Sequence, residues 1–236
     1  MRHSRPALIV FCREPIAHQS KTRLIGAITP ATAAALSDAF IRDALAKAVA
    51  VRTSRIVIAA SAPDGAAGSK YFRRLARQFD ADLFDQGNGP LGRRMARALE
   101  PFSSDGALLI GTDTPSLPTA LLASSIEALR RNRIVIAPSL DGGYYAIGVR
   151  GAMPPIFTSI RWGNRTVFAS TIARLERDGL PYALGPAWYD VDRWPDVMLL
   201  AAHLRMLARA RHRTGSSVCP ATESVLMRLG LLHHAR

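Results

Sequence analysis

The chain has 236 residues, 48% of them hydrophobic, with 31 basic against 18 acidic side chains and a formal charge of +13. That length favours one large α/β domain with a continuous core over two small ones, and no apolar run approaches the ~20 residues of a membrane-spanning helix. Only Lys21, Lys47 and Lys70 among the basic residues are lysine; an arginine skew spread over the whole chain is what GC-rich coding leaves, and sparse aromatics offer few stacking platforms for a nucleic acid.

The segment Met1–Pro6 followed by Ala7–Cys12 begins like a signal peptide. Its apolar part is too short, and Arg13-Glu14-Pro15 ends it where a small-residue cleavage site belongs. The expectation is the first strand of a cytoplasmic protein, buried on both faces. Cys12 and Cys219 make no disulfide framework, which fits a reduced compartment. Thr29-Pro30 supplies an N-cap and a Pro at the first helical position. The helix then continues through Ala34, Leu36, Phe40, Ile41, Leu45 and Val49. Residues 55–60 read as a second strand, 69–79 as a basic amphipathic helix, 81–84 as a short strand and 90–99 as a helix. Leu108-Leu109-Ile110 runs into Gly111-Thr112-Asp113-Thr114-Pro115, a buried strand that stops at turn chemistry. A helix over 117–131 follows, then strands at 133–138 and 144–149. Asn164 opens a helix over 165–177 that Gly179 stops. A strand over 181–187 leads to Asp190-Val191-Asp192, and a long helix spans 194–211. Arg213 to Ser216 breaks it, and a short helix over 223–232 closes the chain. Alternating strands and helices predict a three-layer α/β/α fold with a mostly parallel sheet. We expect one domain over 1–212 and a helical tail over 213–236.

Four loops at strand ends carry the chemistry. In such sheets ligands bind outside the carboxyl ends of the strands. The loop from Arg13 to Leu24 places Lys21 and Arg23 two apart and offers point charges and backbone N–H groups to a phosphate chain. It matches neither a P-loop nor a Rossmann fingerprint, and a solvated basic loop is the competing account. Gly87-Asn88-Gly89-Pro90-Leu91-Gly92 precedes a helix whose N-terminus favours anions; a plain glycine turn explains it equally. Asp113 is either a cation ligand or the cap of the next helix. Asp190 and Asp192 face the same side of an extended chain. Two carboxylates that close need a cation between them, and magnesium accepts one or two carboxylates plus substrate phosphates, though Asp192 or Asp196 could cap the helix near Trp194. Asp141-Gly142-Gly143-Tyr144-Tyr145 is either a hairpin turn or backbone on which an acceptor lies. His233-His234 reads as a frayed tail, and Cys12 as a core residue.

Phe11 to Pro15 with Lys21 to Leu24, Gln86 to Gly89 with Leu91 to Met95, Gly111 to Pro115, Ala137-Pro138 with Asp141 to Tyr145, Trp162, and Asp190 to Asp192 occur in one order. Together they resemble a bacterial family of uncharacterised transferases with the GT-A (nucleotide-diphospho-sugar transferase) fold, some of them associated with arsenosugar biosynthesis. The first and last segments are also similar to 2-phospholactate guanylyltransferases. Gly89-Pro90-Leu91 and Gly111 to Pro115 are similar to parts of molybdenum-cofactor guanylyltransferases. The resemblance implies a transferase that takes a nucleoside triphosphate or a nucleotide sugar and a small phosphorylated or hydroxyl acceptor. It places Arg13, Lys21, Thr22, Arg23, Gly89, Leu91, Gly92 and Thr112 on the nucleotide. Magnesium, or manganese, falls to Asp113, Asp190 and Asp192, and the acceptor to Asp141, Gly142, Gly143, Tyr144 and Trp162. Lys21, Arg23 and Asp113 become the catalytic set. The chain departs from the family in having Ala17-His18-Gln19-Ser20 where a Gly usually precedes the Lys-Thr-Arg. It also has Pro90 and Arg93 at acidic positions, and Gly163 where a hydroxyl residue commonly follows the Trp. Nucleotidyl transfer is slightly favoured over glycosyl transfer. A non-catalytic nucleic-acid-binding protein and a regulator without turnover are the other readings; the absence of a nucleic-acid motif weighs against the former.

Overall fold

The computed structural model describes residues 5–51, 53–211 and 217–232. His233-His234 and residues 213–216 of the expected tail lie outside these. Seven strands alternate with helices: β1 (Ala7–Arg13), α1 (Pro30–Ala50), β2 (Ile56–Ser61), α2 (Gly65–Gly68), α3 (Lys70–Phe79), β3 (Asp82–Asp85), α4 (Leu91–Leu99), β4 (Ala107–Ile110), α5 (Thr119–Arg131), β5 (Ile134–Pro138), β6 (Tyr144–Val149), α6 (Val167–Arg177), β7 (Ala183–Leu184), α7 (Trp194–Arg211) and α8 (Pro220–Arg228). The sheet order is β3-β2-β1-β4-β6-β5-β7. Strand β6 runs antiparallel to both of its neighbours; the other pairings are parallel. The expected three-layer, mostly parallel α/β/α architecture is therefore the observed one.

Alternating side chains divide the core. Leu8, Val10 and Cys12 of β1 pack with α1, α3 and α5, while Ile9 packs with α4 and α6 on the opposite face. This is why β1 reads as an unbroken apolar run: both of its faces are covered. A third cluster forms outside the sheet, where Leu36, Ala39 and Phe40 of α1 meet Leu200 and Leu204 of α7 and Val225 and Leu226 of α8. The carboxylate of Asp43, 2% exposed, caps α8. It accepts from Ala221 N (3.0 Å), Thr222 N (2.8 Å) and Thr222 Oγ1 (2.6 Å). Beside it, buried Lys47 donates to the Pro115 carbonyl at 2.6 Å.

Several boundaries differ from expectation. α8 begins at Pro220 and ends at Arg228, because Pro occupies its first position and Asp43 supplies the cap. α6 begins at Val167; Asn164 instead closes a turn, its Oδ1 accepting from Thr166 N at 2.8 Å. The strand expected over 181–187 shrinks to Ala183–Leu184. The short α2, which the sequence pattern did not reveal, is held by Asp85 Oδ2 accepting from Ala66 N at 2.7 Å. Among the described residues no helix is long and apolar enough to cross a membrane.

Candidate nucleotide site at the β1/β4 switch

The chain runs β1 to β2 to β3 in one direction, then returns to place β4 on the other side of β1. The carboxyl ends of β1 and β4 thus border a topological switch, the usual ligand crevice of an open parallel sheet. A cleft of about 480 Å3 opens there, walled by the end of β1, the loop after it, α4 and Gly111 to Asp113. That volume is in the range of ordinary ligand sites.

The loop after β1 is built to present Lys21. Ser20, 6% exposed, accepts from Ile16 N at 2.9 Å, and His18 holds φ 65°, the left-handed region where a glycine is more usual. Lys21 itself sits at φ 47°, ψ 42°. Such a conformation costs a non-glycine residue about 1–3 kcal/mol and persists where the surroundings over-determine it. Here they do. The Lys21 ammonium lies 2.5 Å from Asp113 Oδ1, 2.9 Å from Asp192 Oδ1 and 2.7 Å from the Val191 carbonyl. The ammonium also lies over the Phe40 ring, with Nζ 5.1 Å from the centroid. Burial would lower the Lys21 pKa, but the two carboxylates outweigh it and raise it. Asp192 Oδ2 also accepts from Arg23 at 3.2 Å. Burial opposes the charge on Asp192, yet Lys21 and Arg23 hold its carboxyl below the usual range. The three loops are tied further by Val191 N donating to the Asp113 carbonyl at 2.8 Å.

The competing cap assignments resolve. Asp113 caps no helix, since α5 begins only at Thr119 with Pro118 at the cap position. Asp196 takes that work in α7, accepting from Asp192 N (3.0 Å) and Arg193 N (2.7 Å), which leaves the Asp192 carboxylate for Lys21 and Arg23. All three donor positions of the Lys21 ammonium are occupied. Lys21 therefore organises the two aspartates and, as described, has no donor left for a phosphate.

Whether a divalent cation fits depends on the free oxygens. Asp190 stands apart, its Oδ1 accepting from Ser139 at 2.9 Å. Burial raises its pKa, and Asp141 and Asp192 add to the rise. Among the described residues no three Asp, Glu, His or Cys side chains gather into a metal-holding group. Asp113 keeps one carboxylate oxygen uncommitted on a side chain 47% exposed. This donor set fits a magnesium ion that arrives with phosphates on a single carboxylate, rather than a preassembled three-carboxylate cage.

Of the expected nucleotide residues, Arg13, Lys21, Thr22, Arg23, Leu91 and Thr112 line the cleft, while Gly89 and Gly92 do not. Gly92 is explained by packing: a Cβ there would lie 2.7 Å from Trp162 Cζ2 and 3.0 Å from Phe157. Trp162 closes over it, edge-on to Tyr144 at 6.4 Å. The five residues expected on an acceptor share this edge of the sheet but not the cleft wall. Gly142, at φ +93°, is required because a Cβ would stand 2.0 Å from the Arg165 carbonyl oxygen. Asp141 closes its own turn by accepting from Gly143 N at 2.8 Å. Tyr144 is partly buried with its hydroxyl enclosed, which pushes its phenol above the usual range.

Two residues without an assigned role stand in the wall. Gln86, 1% exposed, donates its amide to the carbonyls of Cys12 (2.9 Å) and Ala59 (2.6 Å). Its oxygen accepts from Arg94 Nη2, whose guanidinium lies 5.6 Å over the Phe11 ring. Gln86 follows β3 directly, and Asp113 stands three residues past the end of β4; a polar residue just past a strand end was the available signal.

Comparisons agree with this architecture. A structure of a candidate nucleotide-diphospho-sugar transferase from Desulfovibrio desulfuricans G20 is 26% identical, with TM-score 0.76 over 95% of this chain and 98% of that one. The 4-diphosphocytidyl-2C-methyl-D-erythritol synthase of Anaerococcus prevotii DSM 20548 is 13% identical, with TM-score 0.57 over 86% and 97%. A cytidylyltransferase from Leptospira borgpetersenii serovar Hardjo-bovis (strain JB197) is 12% identical, with TM-score 0.56 over 99% of each chain. The last two establish the fold alone. No curated protein matches the sequence. A family model described as "Uncharacterized protein conserved in bacteria (DUF2064)" matches residues 41–164. That span holds Gln86, Arg94, Asp113 and Trp162 but stops short of Asp190 and Asp192 and begins after Lys21.

Proposed function

We propose that this chain, which belongs to the DUF2064 family, is a magnesium-dependent transferase acting on a nucleotide, and that it transfers a nucleotidyl group from a nucleoside triphosphate to a phosphorylated acceptor. One observation carries the reading: a nucleotide-sized cleft at the β1/β4 switch whose wall joins Arg13 and Arg23 to Asp113 and Asp192. A carboxylate pair neutralised by a lysine, beside the guanidinia of Arg13 and Arg23, suits a ligand that brings several negative charges and a cation together.

In the reaction an acceptor phosphate oxygen attacks the α-phosphorus and pyrophosphate leaves. Arg13 and Arg23 hold the phosphate oxygens as charge develops on them. Asp113 would hold the metal, with Asp192 and Asp190 as the neighbouring carboxylates, and the ion would supply neutralisation of phosphate charge. Lys21 keeps Asp113 and Asp192 in register. Asp141, Gly142, Gly143, Tyr144 and Trp162 shape the neighbouring surface that an acceptor meets. The likeness to a candidate nucleotide-diphospho-sugar transferase favours a second reading, glycosyl transfer from a nucleotide sugar through the same cleft. Incubation with magnesium, each nucleoside triphosphate and phosphorylated small-molecule extracts, followed by a pyrophosphate assay, separates them. Pyrophosphate release supports nucleotidyl transfer; its persistent absence, with saturable binding of a nucleotide sugar, overturns it in favour of glycosyl transfer.

A further inference from the structure

The cleft has a second basic wall that the Lys21 network does not touch. Arg94 reaches it from the first turn of α4, and Arg13 from the end of β1. Neither takes part in any ion pair among the described residues. Asp85, whose charge reaches Arg94, is already committed to the N–H groups of Ala66 and Gly87, both at 2.7 Å. Arg97 is likewise committed, donating to the carbonyl of Gln86 at 2.6 Å. Arg94 is left with one hydrogen bond, to Gln86, and its buried Nε has no partner among the described residues.

This guanidinium is held rather than loose. Both amide hydrogens of Gln86 are taken by the carbonyls of Cys12 and Ala59, so the oxygen must point at Arg94. The Phe11 ring supports the guanidinium from below. Burial, then the charges of Arg13 and Arg97, push Arg94 down from the usual arginine range. Two neighbouring guanidinia without an acid between them are unfavourable unless a ligand supplies the negative charge. A planar donor fork fixed in place suits a phosphoryl group best.

We propose that Arg94, oriented by Gln86, and Arg13 form a phosphoryl subsite apart from the Lys21–Asp113–Asp192 network. It rests on the reading of the cleft as a nucleotide site. The phosphoryl group has two sources: the outer phosphates of a nucleoside triphosphate or the phosphate of the acceptor. In the first case the bond from the α-phosphorus to its bridging oxygen breaks, pyrophosphate keeps that electron pair, and the subsite holds the leaving group.

Calorimetric titration of the whole protein and of Arg94→Gln and Arg13→Gln decides the matter. The probes are nucleoside monophosphates and triphosphates, inorganic pyrophosphate, and inorganic phosphate added to nucleotide-saturated protein, all with magnesium. Loss of one charge-assisted contact weakens binding by about 10-fold to 100-fold. If the subsite holds the outer phosphates, both variants lose that factor for triphosphate and pyrophosphate and keep their monophosphate affinity. If it holds the acceptor, triphosphate binding is unchanged and inorganic phosphate loses the factor. Unchanged affinity for every probe in both variants overturns the subsite. Absence of any nucleotide binding in the unaltered protein, with pyrophosphate binding still lost in the variants, refutes the nucleotide reading and leaves the subsite standing. Arg13 is exposed, so its variant answers even if Arg94→Gln fails to fold.

Discussion

Replacing Lys21 with Met tests whether the site is held together by its own ammonium. Met keeps an unbranched stem against Phe40 and deletes the charge. The ammonium contacts Asp113 at 2.5 Å, Asp192 at 2.9 Å and the Val191 carbonyl at 2.7 Å. Hydrogen bonds to charged groups contribute about 1.5–3 kcal/mol each, so a naive sum gives several kcal/mol. Two effects reduce it. The side chains of Asp113 and Asp192 are 47% and 30% exposed, so water replaces the ammonium at both; and the variant no longer buries a cation. We expect a loss of about 2 kcal/mol, a fall in Tm of about 4–8 °C for a chain of this size. The pH dependence has a definite sign. The folded pKa of Lys21 is raised, so its contribution is complete below the unfolded value of about 10.4 and disappears as pH rises through the folded value. The folded pKa of Asp192 is depressed, so its contribution is present above about pH 4 and disappears as pH falls through the folded value. Thermal unfolding followed by circular dichroism from pH 3 to 11 should show the widest gap between the two proteins from about pH 5 to 10. A variant as stable as the parent at neutral pH, or a gap that does not narrow at either extreme, would refute the reasoning.

Gly142→Ala should cost at least about 2 kcal/mol in urea denaturation, because the new Cβ meets the Arg165 carbonyl at 2.0 Å and the backbone holds φ +93°; a neutral result contradicts the described turn. Asp43→Ala removes the cap of α8 and should cost about 2–4 kcal/mol. Native-state hydrogen exchange should then open residues 217–232 ahead of the sheet. Chelation of divalent cations should abolish turnover and added magnesium restore it, while Asp113→Asn should reduce turnover by about 100-fold or more without loss of fold. Cys12 is buried and its thiol is pushed well above the usual range; mass spectrometry after iodoacetamide treatment at pH 8 should find it unmodified until the protein unfolds.

The architecture was legible because its strands carry the pattern of two-sided burial. Ala7 to Cys12 has no polar position to mark a solvent face, and Thr29-Pro30 names the start of α1 outright. Edges were less legible, since β7 keeps only Ala183 and Leu184 in the ladder and the rest of that apolar stretch packs irregularly. In the site, the sequence correctly brings Lys21, Asp113 and Asp192 to one sheet edge. It does not disclose that the lysine lies between the aspartates, because spacing along the chain carries no information on which cation a carboxylate pair receives. The packing role of two glycines was hidden for a related reason. Gly92 and Gly142 make room for Trp162 and Arg165, partners 70 and 23 positions away in the numbering, whereas a local pattern suggests room for a ligand. Gln86 and Arg94 belong to different elements and become a unit only when β3 and α4 meet.

The amide of Gln86 has a consequence for how this cleft could change. Its nitrogen and oxygen are assigned without ambiguity, because two carbonyls demand a donor and one guanidinium demands an acceptor. A Glu at that position differs by a single heavy atom, yet it would set two lone-pair-bearing carbonyls against a carboxylate and hand Arg94 a permanent counter-ion. The receptor for an external anion would become self-neutralised with both arginines still in place. The preference of the cleft for charged guests is therefore written in an almost wholly buried amide of its wall, where a pairing choice inside the sheet sets the valence presented outside.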